Sequence, residues 1–358
     1  MPAHTRERFG ALPDGTAVER WTLTDETTGA RAAVLGYGAV LQSLYLPDAA
    51  GRVANVVLGF ENLPDYLERS PFFGCVVGRF ANRIAGGVFE LDDTVYRLPV
   101  NDGPRPNTLH GGAPGFGARM WQGVAEDVDG GAAVTLSRIS PDGEEGFPGE
   151  LRVSVRYTLA HGRLTLDYRA ETSAPTVVNL TNHAHFNLAG DGETSVLGHE
   201  LSIEADTYLP VDSVLIPLEA EAPVADTPFD FRTPVAVGAR LQDPHPQLRL
   251  ADGYDHCYVL RGGRTAEPRP FAVLRDPDSG RVLRLATTEP GVQVYSCNNF
   301  DGSLVGTSGK AYGPYAGIAL ETQHFPDAPH RPHYPSTVLR PGELFSSTTV
   351  LAFGGVEA

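Results

Sequence analysis

A carboxylate, Glu321, interrupts the apolar run at residues 317–323. The run is short and its residues favour strands over helices, which predicts a strand with buried neighbours. Burying a carboxylate costs free energy unless it is paired or hydrogen-bonded, and a carboxylate with a perturbed pKa in a cleft suits proton transfer. On residue type alone, a structural ion pair is the simpler interpretation of Glu321, and an acid–base role is the alternative.

Two histidines, His183 and His185, stand two residues apart within the segment 177–188. A strand there would place both imidazoles on one face, a spacing that can hold a metal ion. Metal sites of the cupin type need a glutamate soon afterwards, whereas the first acid here is Asp191, in a Gly-Asp-Gly turn. Three asparagines surround the pair and favour a polar site that binds a neutral, hydroxyl-bearing ligand or orients a ring. They are Asn179, Asn182 and Asn187.

A second polar cluster lies upstream, where Arg79, Asn82 and Arg83 fall within six residues and His110 follows in Leu-His-Gly-Gly. An arginine beside an asparagine offers several hydrogen-bond donors in fixed positions, and sugar hydroxyls are neutral ligands that use such donors. The alternative for each arginine is the anchoring of a loop.

The rest of the chain predicts β-hairpins. Apolar residues take every second place in 151–159 and in 164–170, on either side of a His161-Gly162 turn, which predicts two antiparallel strands with one buried face. Similar hairpins are predicted at 88–98 and 271–286, and only 63–70 is typical of a helix. The pattern predicts an all-β protein of stacked antiparallel sheets, with residues 1–358 forming a single domain.

Composition narrows the partners. The chain of 358 residues has a formal net charge of -16, which disfavours nucleic acid and anionic membranes and suits a neutral small molecule. The N-terminus is charged where a secretory signal would be apolar, so we expect a cytoplasmic protein. The three cysteines, Cys75, Cys257 and Cys297, are far apart, which predicts buried free thiols.

Several longer segments occur together in a recognisable order between residues 78 and 343. They are GRFANRIAGGVFELDDTVYRLPVNDGP with NTLHGG, then VNLTNHAHFNLAG, TPFDFR, GYDHCYVL, PGVQVYSCNNFDG and YGPYAGIALETQHFPDAPHRPHYPSTVLRPGE. In these segments the chain resembles the aldose 1-epimerases, also called galactose mutarotases. The resemblance implies a large antiparallel β-sandwich of the galactose mutarotase type with few short helices, acting on a sugar without cofactor or metal.

The resemblance also implies roles for individual residues. Glu321 matches the family's general base and His183 its general acid. Five further positions match residues that bind the sugar: Asn82, Arg83, His110, Asp255 and Gln293.

Interconversion of anomers explains why an acid and a base are needed together. A base takes the proton of the C1 hydroxyl while an acid protonates the ring oxygen as its bond to C1 breaks. The open aldehyde rotates about C1–C2, and the same groups in reversed roles close the ring on the other face. We expect Glu321 to start as carboxylate and His183 as imidazolium, on opposite sides of the ring.

Some positions depart from the family. His185 stands where a tyrosine is usual, His330 where an asparagine is common, and Arg105-Pro106 interrupts the usual GPNTLHGG. Two other functions stay open. An epimerase of a phosphorylated hexose would need clustered cations, for which Arg79 and Arg105 are candidates. A non-catalytic sugar-binding protein of the same fold would need neither the acid nor the base.

Overall fold

A computed structural model describes residues 2–354 of the chain, and strands dominate it. In chain order the strands are β1 (His4–Ala11), β2 (Ala17–Thr24), β3 (Arg31–Leu35), β4 (Leu41–Pro47), β5 (Val53–Asn55), β6 (Val76–Val77), β7 (Arg83–Ile84), β8 (Val88–Leu91), β9 (Thr94–Arg97), β10 (Thr108–Leu109), β11 (Gln122–Val128), β12 (Gly131–Ser140), β13 (Leu151–Ala160), β14 (Arg163–Thr172), β15 (Thr176–Val177), β16 (Thr181–Asn182), β17 (His185–Phe186), β18 (Glu200–Ile203), β19 (Ala205–Leu209), β20 (Ala222–Pro223), β21 (Val235–Ala236), β22 (Asp255–Leu260), β23 (Arg269–Arg275), β24 (Val282–Thr287), β25 (Gly291–Tyr295), β26 (Ile318–Gln323), β27 (Val338–Leu339) and β28 (Phe345–Ala352).

Two short α-helices interrupt the strands, α1 (Leu63–Glu68) and α2 (Pro246–Leu250). The first begins where the Asn62 side chain accepts a hydrogen bond from the amide of Asp65, which satisfies one of the unpaired amides at a helix start. It confirms the predicted helix at 63–70. The remaining helical turns are single 3₁₀ turns, at Ala85–Gly87, Phe116–Ala118, Glu144–Gly146, Val196–Gly198, Val237–Arg240 and Ala328–His330.

Three sheets make up most of the fold. The first contains five strands in the order β1-β2-β3-β4-β5, and the second nine in the order β11-β12-β13-β14-β28-β24-β23-β18-β21. The third contains six strands in the order β17-β26-β25-β22-β19-β20, and four two-stranded ladders join β7 to β10, β6 to β16, β15 to β27 and β8 to β9. All of these strand pairs are antiparallel, as the sequence predicts.

The predicted hairpins are confirmed. β13 pairs with β14 from Leu151–Thr172 to Ala160–Arg163, and buried residues alternate with more exposed ones along both strands. The hairpins β8–β9 and β23–β24 also lie where the turn residues place them. Alternation puts one face of each strand against the core and the other toward water, so the pattern of the sequence carries over into the sheet.

One large apolar cluster joins the three sheets. It takes Val34 from the first sheet, Val155 and Leu285 from the second, and Val294 and Leu320 from the third. The sheets therefore pack around a common core, and the all-β sandwich predicted from the sequence is confirmed.

The cysteines Cys75, Cys257 and Cys297 are free and buried, as predicted. Within residues 2–354 no helix has the length and apolar character needed to cross a membrane. A strand that would place His183 and His185 on one face does not form, because the chain there divides into the separate pieces β15, β16 and β17.

Candidate active site

Strand β26 carries Glu321 through the middle of the third sheet, and every residue of the strand is buried. Ile318 and Leu320 enter the large apolar cluster, and the Thr322 hydroxyl lies 2.5 Å from that of Thr349 in the second sheet. Because side chains alternate along a strand, Glu321 points to the opposite face. There it lies directly across from Gln293 of β25.

Glu321 is only 2% exposed, and a histidine is its titratable neighbour. Its Oε1 lies 3.5 Å from Nε2 of His183, which is its only ion-pair contact among the described residues, while Oε2 has no hydrogen-bond partner there. Burial raises the pKa of Glu321 well above its usual range, and the charge of Asp255 raises it further, whereas Arg83 opposes the shift. No arginine or lysine in the described part of the chain pairs with Glu321, so a structural salt bridge with such a residue is not its role.

His183 lies in the short connection between β16 and β17, where its amide donates to the carbonyl of Cys75. Its ring stacks on Phe72 at a centroid distance of 5.8 Å and meets the edge of His110 at 5.0 Å. On another side lies the ring of His185, 4.8 Å away. The imidazole is thus held by rings on several sides, and burial lowers the pKa of His183 to about 4.

Two details of the expected starting state need correction. Burial shifts both pKa values toward neutral forms, so the protein without sugar favours a protonated Glu321 and a neutral His183 over the expected ion pair. The two groups also cannot stand on opposite sides of a sugar ring, since their facing atoms are 3.5 Å apart. They lie side by side and can reach two oxygens bonded to one carbon.

The polar cluster upstream folds around His110. The ladder of β7 and β10 aligns Arg83 with Leu109, so that Asn82 and His110 follow directly at its end. The amide of His110 donates to the carbonyl of Asn82 at 3.0 Å, and the amide of Asn82 donates to Nδ1 of His110 at 3.2 Å. Both residues have positive φ, 61° and 52°, a costly backbone conformation that clusters at functional sites.

Glycine is needed immediately after His110. A Cβ at Gly111 would lie 2.0 Å from the carbonyl oxygen of Gly78, and φ is +83°. The close approach of these two backbones holds the loop of His110 against the loop that carries Asn82.

The contact with Asn82 also fixes the proton of His110. Nδ1 accepts a hydrogen bond, and burial lowers the pKa of His110 well below its usual value, so the ring is neutral and its proton is on Nε2. One ligand atom from each of His110, His183 and Glu321 lies within 4.8 Å of the others, a spacing that a metal ion could use. A protonated Nε2 is not a ligand, however, which leaves two, and this donor set fits a sugar oxygen better than a metal ion.

Arg83 reaches the site from a buried ion pair. Its Nε lies 2.8 Å from Asp102, and the Arg105 guanidinium and the Asn107 amide bond the same carboxylate. Burial alone would raise the pKa of Asp102, but the hydrogen bonds from Arg83 and Arg105 outweigh burial and lower that pKa. The extra residue Arg105 therefore helps hold Arg83.

Asp255 and Gln293 form the other wall. Asp255 begins β22, and Nε2 of Gln293 donates to its carboxylate at 2.6 Å. Oε1 of Gln293 is buried and has no partner among the described residues, so it is an acceptor open to a ligand. The seven residues predicted for the site are thus brought together by neighbouring strands and loops.

Three other residues predicted to bind a ligand instead donate hydrogen bonds to backbone carbonyls. The side-chain Nδ2 of Asn179 donates to the backbone carbonyls of Ala81 and His324. The side-chain Nδ2 of Asn187 donates to the carbonyls of Thr194 and Ala316. Asn182 donates likewise to a carbonyl, that of Gly74, and to the hydroxyl of Tyr157. The prediction that Asn179, Asn182 and Asn187 bind a ligand is wrong, because their amide groups hold loops together.

Arg79 is likewise structural. It is 1% exposed, and its guanidinium donates to Ser140 and to the carbonyls of Pro141 and Pro148. Its donors are occupied, so it does not supply the cation that a phosphorylated sugar would need.

Sequence reasoning missed one residue of the site, Phe72. It lies in the loop after α1 with φ +65°, and its ring contacts both His110 and His183. Positive φ is unusual for a bulky residue and marks a backbone held by its surroundings. The aromatic pair Phe72-Phe73 in an otherwise small loop is the one signal in the sequence.

Comparison with known proteins identifies the family of the chain. The family model "Aldose 1-epimerase" matches residues 19–352. Galactose mutarotase of Bos taurus is 47% identical over 354 residues, covering 99% of each chain, and aldose 1-epimerase of Escherichia coli K12 is 36% identical over 344 residues, covering 95% of this chain and 96% of the other. The crystal structure of galactose 1-epimerase from Lactobacillus acidophilus superposes with a TM-score of 0.85 at 29% identity and 99% coverage of both chains. The chain belongs to the aldose 1-epimerase family.

Proposed function

We propose that the protein is an isomerase that interconverts the α and β anomers of free hexoses such as galactose and glucose, with no cofactor. The observation that carries this proposal is the 3.5 Å approach of His183 Nε2 to Glu321 Oε1 at the buried centre of the site. Curated relatives that share nearly the full length of the chain are named galactose mutarotase or aldose 1-epimerase.

Ring opening needs two proton transfers at oxygens that share one carbon. The C1 hydroxyl loses its proton to Glu321, and the ring oxygen receives one from His183 as its bond to C1 breaks. Because both oxygens are bonded to C1, an acid and a base side by side can serve them together. The short distance between the two side chains therefore suits the reaction better than positions across the ring.

The proton count of the pair explains its resting state. The reaction moves one proton from His183 to Glu321 through the sugar, so the ion pair before ring opening and the neutral pair after it carry the same number of protons. Burial favours the neutral pair, which is the state that accompanies the open-chain sugar. Polar hydroxyls of a bound ring would favour the ion pair and so reduce the difference in free energy between the two states.

Closing the ring reverses each transfer. After rotation about C1–C2, the neutral His183 takes the proton of the C5 hydroxyl while the protonated Glu321 gives its proton to the carbonyl oxygen. Attack on either carbonyl face gives either anomer, and the pair returns to its first protonation state. Neither an oxidant nor an energy source is consumed.

The remaining residues would hold the sugar. His110 presents Nε2–H as a donor, and Gln293 presents a free acceptor oxygen beside Asp255. Asn82 and Arg83 add donors from the opposite loop. Such a ring of donors and acceptors matches a polyhydroxylated ligand.

Several wider expectations belong to the same proposal. We infer a single domain over residues 1–358, supported by the apolar cluster that extends from Ala3 to Phe353. The three free thiols favour a reducing compartment, and we propose the cytoplasm. The net charge of -16 favours a neutral sugar as the partner over nucleic acid or an anionic membrane.

Polarimetry tests the proposal. Freshly dissolved α-D-galactose and α-D-glucose are followed with and without the purified protein, and a blank removes spontaneous mutarotation. We expect strong acceleration with the free sugars and weak acceleration with galactose 6-phosphate, because Arg79 is buried and Arg105 is paired with Asp102. A preference for the phosphorylated sugar would favour the second function, and no acceleration of any sugar would favour a binding protein.

A further inference from the structure

His185 is the one buried histidine beside His183 that the proposed reaction leaves without a task. Its side chain is 0% exposed, and neither ring nitrogen has a hydrogen-bond partner among the described residues. Buried polar atoms in folded proteins are nearly always hydrogen-bonded, and each exception calls for an explanation. A histidine that only filled space would be replaced at lower cost by an apolar ring.

The next unpartnered atom belongs to the catalytic pair. Nδ1 of His183 is buried and also has no partner in the described part of the chain, and the two histidine rings lie 4.8 Å apart with their planes tilted by 38°. Two adjacent rings thus carry three imidazole nitrogens without partners. A water molecule between the rings would give Nδ1 of His183 and one nitrogen of His185 the polar partners that each lacks.

The reaction requires Nδ1 of His183 to carry a proton. Nε2 faces Glu321 and is the nitrogen that exchanges its proton with the sugar. When Nε2 gives that proton up, the ring stays neutral only if Nδ1 holds the other proton. Nδ1–H is therefore required in both states of the pair, and a buried N–H needs an acceptor.

We propose that His185 is a positioning residue that accepts the Nδ1–H of His183 through one enclosed water molecule and so keeps Nε2 as the nitrogen that exchanges protons. This role rests on the proposed function. A neutral imidazole has one acceptor nitrogen and one N–H, which is the capacity this task requires. Burial and the neighbouring His183 lower the pKa of His185 well below its usual value, and a neutral ring agrees with the assignment.

The surroundings of His185 are otherwise apolar. The centroid of its ring lies 5.2 Å from that of Phe73, 5.8 Å from that of Phe300 and 6.1 Å from that of Tyr295. The titratable and charged groups that face the two histidines or act on their partner Glu321 are His110, Glu321, Tyr295, Cys75, Asp255 and Arg83. Within this set no carboxylate other than Glu321 borders either histidine. A neutral group therefore has to accept the hydrogen bond from Nδ1–H that a carboxylate accepts in many histidine sites.

Three variants separate hydrogen bonding from packing. His185→Phe keeps a ring and removes both nitrogens, while His185→Asn and His185→Gln place an amide oxygen near the positions of Nδ1 and Nε2. Phe300→Leu is the matched control, because it loosens the same aromatic pocket and leaves every nitrogen in place. Each variant is examined by polarimetric kcat and KM and by ¹⁵N NMR of the histidine side chains, which shows which nitrogen of His183 is protonated.

We expect His185→Phe to lower kcat between about 10- and 100-fold with KM within about twofold, the range typical of a residue that fixes the tautomer and orientation of an active histidine. His183 should lose its Nδ1–H form in this variant. At least one amide variant should recover kcat to within about fivefold of wild type and restore the Nδ1–H form. Phe300→Leu should leave the tautomer unchanged.

Other outcomes overturn the assignment. A His185→Phe variant with wild-type kcat and tautomer would show that His185 has no such role, and equal loss in all three variants without a change of tautomer would reduce it to packing. If His185→Phe does not fold, the two amide variants and the wild-type NMR spectrum decide, since a wild-type His183 protonated on Nε2 alone contradicts the proposal. If the wild-type protein does not interconvert anomers, the proposed function fails on that result, and the tautomer of His183 in His185→Phe still decides the role of His185.

Discussion

Nε2 of His183 and Oε1 of Glu321 lie 3.5 Å apart in a site where both side chains are almost fully buried. Each group alone would be costly to bury in its charged form. Together they hold one proton that can lie on either side, and a hexose whose C1 hydroxyl and ring oxygen touch both groups offers a path between them. The pH dependence of activity follows from this shared proton.

Activity should have an acid limit set by His183 and an alkaline limit set by Glu321. Burial lowers the pKa of His183 to about 4 and raises that of Glu321. As pH falls through about 4, His183 is protonated, so that the pair holds two protons and no base remains. As pH rises through the raised pKa of Glu321, the pair loses its one shared proton and no acid remains. We expect the acid limit of kcat/KM, corrected for spontaneous mutarotation, to lie near pH 4 rather than near 6.5. An acid limit near 6.5 would mean that His183 titrates as an exposed histidine does.

Removing the charge of Asp255 should move the alkaline limit of that profile. The carboxylate raises the pKa of Glu321, so Asp255→Asn should lower that pKa and shift the alkaline limit to lower pH. KM should rise as well, because the hydrogen bond of 2.6 Å from Gln293 changes its acceptor. Gln293→Glu is the reverse control, since a new negative charge opposite Glu321 should move the alkaline limit upward. An unchanged limit in Asp255→Asn would contradict the electrostatic account.

Breaking the buried ion pair between Arg83 and Asp102 should lower the stability of the fold. Arg83 and Asp102 are both buried, so Asp102→Ala leaves a buried guanidinium without its partner and should lower the free energy of unfolding by about 3–5 kcal/mol. Arg105→Ala removes a half-exposed partner of the same carboxylate and should cost about 1 kcal/mol or less. Urea unfolding measures both changes, and equal losses would mean that burial does not distinguish the two arginines.

The ring of Phe72 should contribute to catalysis by holding the imidazoles. It contacts His110 at 4.7 Å and His183 at 5.8 Å, and an aromatic contact of this kind contributes about 0.5–1.5 kcal/mol. Phe72→Gly suits the positive φ of this position and removes the ring, so we expect kcat/KM to fall by roughly 5- to 100-fold and the free energy of unfolding to fall by about 1–3 kcal/mol for the two lost contacts. Phe72→Tyr keeps the ring and should retain most activity. Wild-type kcat/KM in Phe72→Gly would remove Phe72 from the site.

Much of the fold follows from local pattern. The hairpin β13–β14 and the strand of Glu321 are predictable because alternation and turn residues act between neighbours in the sequence. The segment 176–186 is not, since its three short strands depend on amide side chains such as that of Asn179, which bind backbone far away in sequence. Local propensity carries no information about such contacts.

The site also combines features that the sequence predicts with features that depend on the folded structure. The approach of Glu321 to Gln293 follows once two strands are paired in register. The neutral resting forms of Glu321 and His183 depend on how deeply the fold buries them, and the contact of Arg83 with Asp102 crosses a loop whose path the sequence does not specify. Phe72 reaches the site only because its backbone takes a positive φ that its residue type disfavours.

In the proposed reaction Glu321 exchanges the proton of the anomeric hydroxyl. The most direct measurement is the polarimetric kcat of Glu321→Gln on α-D-galactose beside Thr322→Val, a control on the opposite face of the same strand. We predict a fall of about 10²- to 10⁴-fold for Glu321→Gln, with its unfolding transition retained, and activity within about threefold of wild type for Thr322→Val. A folded Glu321→Gln variant that keeps the wild-type kcat would show that Glu321 is not the base.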